Sequence, residues 1–220
     1  MSLTLYFHPF ASFCQKALIA LHENDTPFTG RVIDLSKEAE RAELARLWPF
    51  AKFPVLRDEA RNETVPESTI IIEYLARHYP GRSVLVPADP DRARETRLRD
   101  RFYDLYVSEP MQKIVTDRLR PAGKHDPTGV AQARSTLVTA YGMIERDMET
   151  RTWATGDAFG MADCAAAPAL WYANLVQPFG DRFPRTAAYL ARLVERPSFA
   201  RVLEAARPYL ELFPRDPGAE

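Results

Sequence analysis

The chain has 220 residues, of which 46% are hydrophobic and 27% are charged, a composition ordinary for a soluble globular protein. Its 29 lysine and arginine residues against 30 aspartate and glutamate residues leave a net charge of −1. This balance predicts no nucleic acid and no membrane surface as a partner, because no overall field holds a polyanion.

Export and membrane insertion are not predicted either. No uninterrupted apolar stretch reaches the roughly 18 residues that a membrane helix needs, and residues 3–7 are too short for the core of a secretory signal. Two widely separated cysteines, Cys14 and Cys164, indicate reduced thiols in a cytoplasmic protein. Since cysteines and histidines do not cluster, no metal site is predicted.

The first 80 residues alternate between the periodicities of strand and helix. The predicted elements are strand 3–7, helix 14–23, strand 30–35, helix 37–47, strands 53–58 and 63–66, and helix 67–79. This βαβαββα order implies a small mixed sheet of four strands with helices packed on it.

A proline-rich connector, "PGRSVLVPADP" (80–90), ends the last of these helices and marks a domain boundary. All later elements are predicted helical, over residues 91–118, 129–150, 162–176, 186–194 and 198–206, and no order is predicted for 214–220. We therefore expect an α/β domain at 1–80, a linker at 81–90 and an all-α domain at 91–220.

The stretch "HPFASFCQK" (8–16) places a hydroxyl, Ser12, and a thiol, Cys14, just before an apolar helical run. Further along, "FPVL" puts Pro54 at the entry of a strand. A trans proline on an edge strand is one interpretation. The other is a cis bond that turns the backbone of Phe53 outward, free to pair with a bound peptide.

Glu67 and Ser68 open the helix after the fourth strand, and two interpretations fit them. They can cap the helix. They can also bind an amino acid, with Ser68 and the helix N-terminus on its carboxylate and Glu67 on its ammonium group.

The order and spacing of these stretches resemble the cytosolic glutathione transferases of bacterial type. A further element, "GDAFGMADCAAAPAL" (156–170), is similar to the helix-start signature of that family's second domain. Gly160 stands where the family usually has serine or threonine, but glycine is an acceptable N-cap. Asp163 is expected to reach back to the backbone N–H of the cap.

The resemblance implies a thioredoxin-like first domain, a cis Pro54 and glutathione as co-substrate, without a metal. Glu67 and Ser68 would hold the γ-glutamyl group, the backbone of Phe53 would pair with the cysteinyl group, and Lys52 would reach the glycyl carboxylate. The helical domain would supply an apolar electrophile site, for which the candidates are Tyr103, Tyr106, Met111, Trp171 and Tyr172. Each of these is alternatively a core side chain. A homodimer is also implied, in which Asp100 reaches the partner's glutathione.

The position at which related serine or cysteine enzymes carry their thiol-activating side chain is occupied here by Ala11. Three other candidates remain, of which Ser12 is preferred. Cys14 is the second, although its place inside the first helical turn predicts a buried and inert thiol. Tyr6, at the end of the first strand, is the third, and His8 is expected to be a polar loop residue.

The predicted function is conjugation of glutathione to small hydrophobic electrophiles. Because Ala11 occupies the activating position, a non-catalytic module that binds glutathione or a protein partner is one alternative. A glutathione-dependent thiol reductase or isomerase is another.

Overall fold

The computed structural model describes residues 2–214, and residues 215–220 of the predicted unordered tail lie outside the described part. The strands are Leu3–Phe7 (β1), Thr29–Val32 (β2), Val55–Asp58 (β3) and Glu63–Pro66 (β4). The helices are Ser12–Glu23 (α1), Glu38–Leu47 (α2), Ser68–His78 (α3), Pro90–Phe102 (α4), Glu109–Arg118 (α5), Pro127–Asp147 (α6), Met161–Val176 (α7), Pro184–Val194 (α8) and Pro197–Ala206 (α9).

The four strands form one mixed sheet, as predicted, and their order in the sheet is β2-β1-β3-β4. β1 runs parallel to β2 and antiparallel to β3, and β4 pairs antiparallel with β3. β2 is shorter than predicted because its partner β1 ends at Phe7, which lies opposite Val32. β3 begins at Val55 rather than at Phe53, since Pro54 has no N–H to donate to a ladder.

Helix α1 lies between the sheet and the helical domain, and most of its residues are buried. Leu3, Leu5 and Phe7 of β1 share one apolar core with α1, α3 and the helical domain. A helix that is buried on several sides must pair the polar groups it carries. This explains why Lys16 and Glu23 of α1 both form ion pairs with the helical domain.

The long helix predicted over residues 91–118 is interrupted in its middle. A π-helical turn, Tyr103–Ser108, separates α4 from α5. Pro110, in the first turn of α5, cannot donate a backbone hydrogen bond to the preceding turn, which is a physical reason for irregular helix there.

Helix α7 begins as the sequence predicts. Asp163 accepts a hydrogen bond from the backbone N–H of Gly160 at 2.9 Å, and also bonds from Ala154 N–H at 2.8 Å and Tyr189 O–H at 2.6 Å. The predicted reach of Asp163 to its cap is confirmed. Among residues 2–214, none of the helices has both the length and the apolar character needed to cross a membrane.

Candidate functional site

A polar cavity of about 480 Å³ opens between the start of α3, the loop before β3, the first turn of α1 and the middle of the long α4–α5 segment. Its volume is in the range of small-molecule sites, about 300–1,000 Å³. All five residues predicted to bind glutathione line it, namely Lys52, Phe53, Pro54, Glu67 and Ser68. The structure thus brings these five residues together, and their binding of glutathione stays a prediction.

The start of α3 forms one wall of this polar cavity. Glu67 is the N-cap residue, with φ of 68°, and its side chain makes no capping hydrogen bond. The capping interpretation of the Glu67 side chain is therefore wrong. The first N–H groups of α3 have no partner within the helix, so this end favours a carboxylate.

The loop before β3 forms the opposite wall. The Phe53–Pro54 bond is cis, as the resemblance implies. The Phe53 ring is half-buried and stacks on His8 at a centroid distance of 6.2 Å. Lys52 is exposed and forms no ion pair within residues 2–214, so its ammonium group is available to an anion in the cavity.

A second cavity, smaller and more apolar, adjoins the first. Its volume is about 190 Å³, and its lining consists of Phe10, Ser12, Met111, Gln112, Val115, Tyr172, Phe213 and Pro214. Gln112 lines both cavities, and the consecutive residues Ser12 and Phe13 line one each. The first turn of α1 therefore lies where the polar cavity meets the apolar one.

Ser12 is the first residue of α1, and its hydroxyl makes no hydrogen bond to any residue that the structure describes. Its neighbour Ala11 is the N-cap residue and has no side chain that can cap the helix. The free N–H groups of the first turn point out of the helix beside the Ser12 hydroxyl. This arrangement can stabilise a negative charge at the boundary of the two cavities.

The structure gives no support to the other two candidates for thiol activation. Cys14 is fully buried, and burial raises the pKa of its thiol well above the ordinary value, which opposes a reactive thiolate. Tyr6 points to the opposite face of the sheet, where it packs on the small cluster of Ile33, Leu44 and Val55. Alternation along β1 excludes it from the face that carries α1.

Only part of the predicted electrophile site is brought together. Met111 and Tyr172 line the apolar cavity. Tyr103 does not line it, because it lies in the core, where burial raises its pKa. Tyr106 does not line it either, since it is 53% exposed and lines a different groove between α4 and α6. Trp171 packs edge-on against Tyr172 and lines neither cavity.

Asp100 does not extend toward a partner subunit. It is buried and forms an ion pair with Lys16 of the same chain, with 2.7 Å between Nζ and Oδ1. The expectation that it reaches a second glutathione is therefore wrong in this arrangement. Its position on α4 turns it inward, toward α1.

Two aromatic residues of the apolar cavity were missed. Phe10 meets Tyr172 at 5.5 Å, edge to face, and Phe213 stacks on Tyr172 at 6.0 Å. The Tyr172 hydroxyl donates a 2.7 Å hydrogen bond to the Phe10 carbonyl. No sequence pattern marks Phe213, because only the fold brings it next to cavity residues that are distant from it in the sequence.

The fold, an α/β domain followed by a helical domain, is that of the glutathione transferases. Residues 5–83 match the family model described as "Glutathione S-transferase, N-terminal domain", and residues 127–192 match "Glutathione S-transferase, C-terminal domain". The chain belongs to the glutathione transferase family.

Individual relatives are distant but similar over nearly their full length. Glutathione S-transferase hmp2 of Hypomyces subiculosus is 25% identical, with 87% of this chain and 94% of that protein covered. FtsZ-localized protein A of Caulobacter vibrioides is 28% identical, with 94% and 93% covered. The structure of a glutathione S-transferase of Methylobacillus flagellatus with glutathione bound has a TM-score of 0.83 at 23% identity, with 91% and 98% covered.

Proposed function

We propose that this protein binds glutathione in the polar cavity and conjugates its thiol to small apolar electrophiles held in the adjoining apolar cavity. The observation that carries the proposal is the meeting of the two cavities at the first turn of α1, where Ser12 and Phe13 line one each. A thiolate formed at this boundary faces an apolar reactant.

Glutathione would lie extended across the sheet end of the polar cavity. The Ser68 hydroxyl and the free N–H groups of α3 suit the γ-glutamyl carboxylate, and the exposed Glu67 suits the adjacent ammonium group. The backbone of Phe53 would pair with the cysteinyl group, and Lys52 with the glycyl carboxylate. These contacts would hold the tripeptide by both ends, with its sulfur near Ser12.

The Ser12 hydroxyl would donate a hydrogen bond to the sulfur. A free thiol has a pKa of about 8.5, so only a few per cent is ionised at neutral pH. A hydrogen bond to the thiolate and the nearby helix N-terminus both favour the charged form. The thiolate sulfur then bonds to the electrophilic carbon, and the leaving group departs with its electron pair.

A second candidate function is a glutathione-binding module without catalysis. Ala11 at the usual activating position supports it, as does the similarity to FtsZ-localized protein A, whose name does not describe a transferase. Glutathione-dependent reduction through Cys14 is not favoured, because that thiol is fully buried.

The test combines glutathione binding, measured by calorimetry, with turnover of a chlorinated nitroarene. Binding together with conjugation supports the transferase, whereas binding without conjugation of any electrophile in a panel favours the module. Transfer of glutathione from a disulfide, abolished by Cys14→Ala, would instead indicate a reductase. Absence of glutathione binding contradicts all three.

We further propose that the protein is a cytoplasmic homodimer with a role in detoxification, and that its domains divide at residues 80 and 91. Exposed apolar side chains of Leu98, Tyr106 and Met143 rim the groove between α4 and α6 and suit a protein contact. Light scattering after size-exclusion chromatography tests the dimer: a monomeric mass at micromolar concentration contradicts it. Limited proteolysis tests the boundary, for which cleavage within residues 81–90 is expected.

A further inference from the structure

Lys16 of α1 is a buried cation that the proposed chemistry does not use. Its side chain is 1% exposed, and its ammonium group donates to Thr69 Oγ1 at 2.8 Å. The same group forms ion pairs with Asp100 at 2.7 Å and with Asp104 at 2.9 Å. Removal of an ammonium group from water is strongly unfavourable unless charged partners compensate for the lost hydration. Here the ammonium group donates hydrogen bonds to Thr69 and Asp104 and forms an ion pair with Asp100, so its partners come from three different elements.

We call Lys16, Thr69, Asp100 and Asp104 the Lys16 cluster. The Thr69 hydroxyl accepts from Lys16 and donates to Asp100 Oδ2 at 2.7 Å, so both of its hydrogen-bonding roles are used. Asp104, in the π-helical turn, also accepts from Arg101 at 3.1 Å. The cluster therefore fixes the start of α3 to α1 and to the helical domain at once.

The cluster also lies beside the glutathione-binding residues. Thr69, Arg101 and Asp104 line the same polar cavity as Glu67 and Ser68. Thr69 follows Ser68 directly in the chain. Any shift of the Thr69 side chain is therefore transmitted to Ser68 through a single peptide unit.

Glu67, two residues before Thr69, has a conformation that needs external support. Its φ of 68° is in the left-handed region, which strains a non-glycine residue and persists only when the surroundings enforce it. Its own side chain makes no capping hydrogen bond. On one side the chain is held by the pairing of Pro66 with Val55, and on the other side by Thr69 in the cluster.

We propose that the Lys16 cluster is a positioning device of the glutathione site: by holding Thr69, it maintains the Glu67 turn and the orientation of Ser68 for the γ-glutamyl group. This inference rests on the proposed function, since it requires glutathione in the polar cavity. Lys16 is a positioning residue and not a catalytic one, because its buried side chain does not reach the cavity.

The most direct test of the Lys16 cluster is Thr69→Val, which removes the hydroxyl and retains the shape of the side chain. Thr69→Ser retains the hydroxyl and is the conservative rescue. We expect Thr69→Val to raise the Kd of glutathione by about 5- to 30-fold, the equivalent of roughly one to two hydrogen bonds. Thr69→Ser is expected to bind within about threefold of the wild type. At saturating glutathione, kcat should stay within about threefold in both variants, because Ser12 is unchanged.

Lys16→Met tests the cation itself, and Glu23→Gln is its matched control. Glu23 lies on the same helix, is equally buried, and pairs across the domain interface with Arg196, but at the far end from the polar cavity. Both variants are expected to lower the unfolding temperature. Only Lys16→Met should raise the Kd of glutathione, which a general loosening of the interface would not predict.

The outcomes separate this inference from the proposed function. If the wild type does not bind glutathione in calorimetry, both are overturned. If the wild type binds and Thr69→Val binds equally well, the inference alone is overturned. An equal increase of Kd in Glu23→Gln and Lys16→Met also overturns it, since the effect would then be unspecific. Should Lys16→Met not fold, the pair of Thr69 variants still decides the question.

Discussion

Replacement of Ser12 by alanine removes the Ser12 hydroxyl at the boundary of the two cavities while leaving the first turn of α1 in place. The Ser12 hydroxyl makes no hydrogen bond to residues 2–214, so its loss breaks no internal hydrogen bond. The unfolding free energy is therefore expected to change by less than about 0.5 kcal/mol. A larger effect of Ser12→Ala on catalysis is therefore attributed to the thiol of bound glutathione.

The expected magnitude follows from the charge of the thiolate. A hydrogen bond to a charged group contributes about 1.5–3 kcal/mol, which corresponds to a rise of roughly one to two units in the pKa of bound glutathione. At a pH below both values, the thiolate fraction falls by about 10- to 100-fold. Thiolate nucleophilicity rises with pKa, with a Brønsted coefficient of about 0.4–0.5, so the net loss in rate is about 3- to 16-fold.

The assay is a titration of the thiolate absorbance of the enzyme–glutathione complex, with kcat followed over the same pH range. Cys14→Ala and Tyr6→Phe are the matched controls. Cys14 is buried and Tyr6 lies on the other face of the sheet, so neither should shift the pKa of the bound thiol. The reasoning fails if Ser12→Ala leaves both the pKa and the rate unchanged. The helix N-terminus alone would then account for activation.

Three further predictions concern the apolar cavity and the stability of the fold. Phe213→Ala removes the ring stacked on Tyr172 at a centroid distance of 6.0 Å. The KM for an apolar electrophile should rise by roughly 2- to 10-fold while the Kd of glutathione stays constant. An unchanged KM contradicts a role of Phe213 in the apolar cavity. Burial lowers the pKa of His22 to about 4 in the folded protein. Below about pH 6.5 the unfolded chain therefore binds more protons than the folded chain, and the contribution of His22 to stability is lost as the pH falls from there toward 4. Between pH 7 and pH 5, His22→Gln should therefore lose about 1 kcal/mol less unfolding free energy than the wild type, a value that allows for the half-buried ring of His22. Parallel pH profiles of unfolding free energy for the two proteins would refute this. Asp163→Ala leaves two backbone N–H groups and the Tyr189 hydroxyl without their acceptor, and urea denaturation should show a loss of about 3 kcal/mol or more.

The sequence was most informative where the binding residues are close in the chain or belong to regular elements. The alternation of periods over the first 80 residues correctly predicted the mixed four-stranded sheet. Glu67 and Ser68 could be placed at the start of α3 because a proline ends the preceding strand and an apolar helical pattern follows. Because β3 pairs with β4, the start of α3 lies opposite Pro54.

The predicted electrophile site was less successful, for a geometric reason. Each residue advances a helix by about 100°, so a prediction from periodicity needs an unbroken helix. The π-helical turn Tyr103–Ser108 changes the register of every later position relative to the earlier ones. Tyr103 therefore faces the core and Tyr106 an outer groove, while Met111, beyond the turn, reaches the apolar cavity.

By itself, the amino-acid sequence determined the family, the order of the elements and five of the residues around the polar cavity, because these depend on local patterns and short spacings. Only the tertiary structure decided that Phe10, Tyr172 and Phe213 meet beside Ser12, and that Lys16 is buried against Asp100. Such contacts join residues from distant parts of the chain. Their geometry depends on how helices pack, and no local pattern of the sequence encodes it.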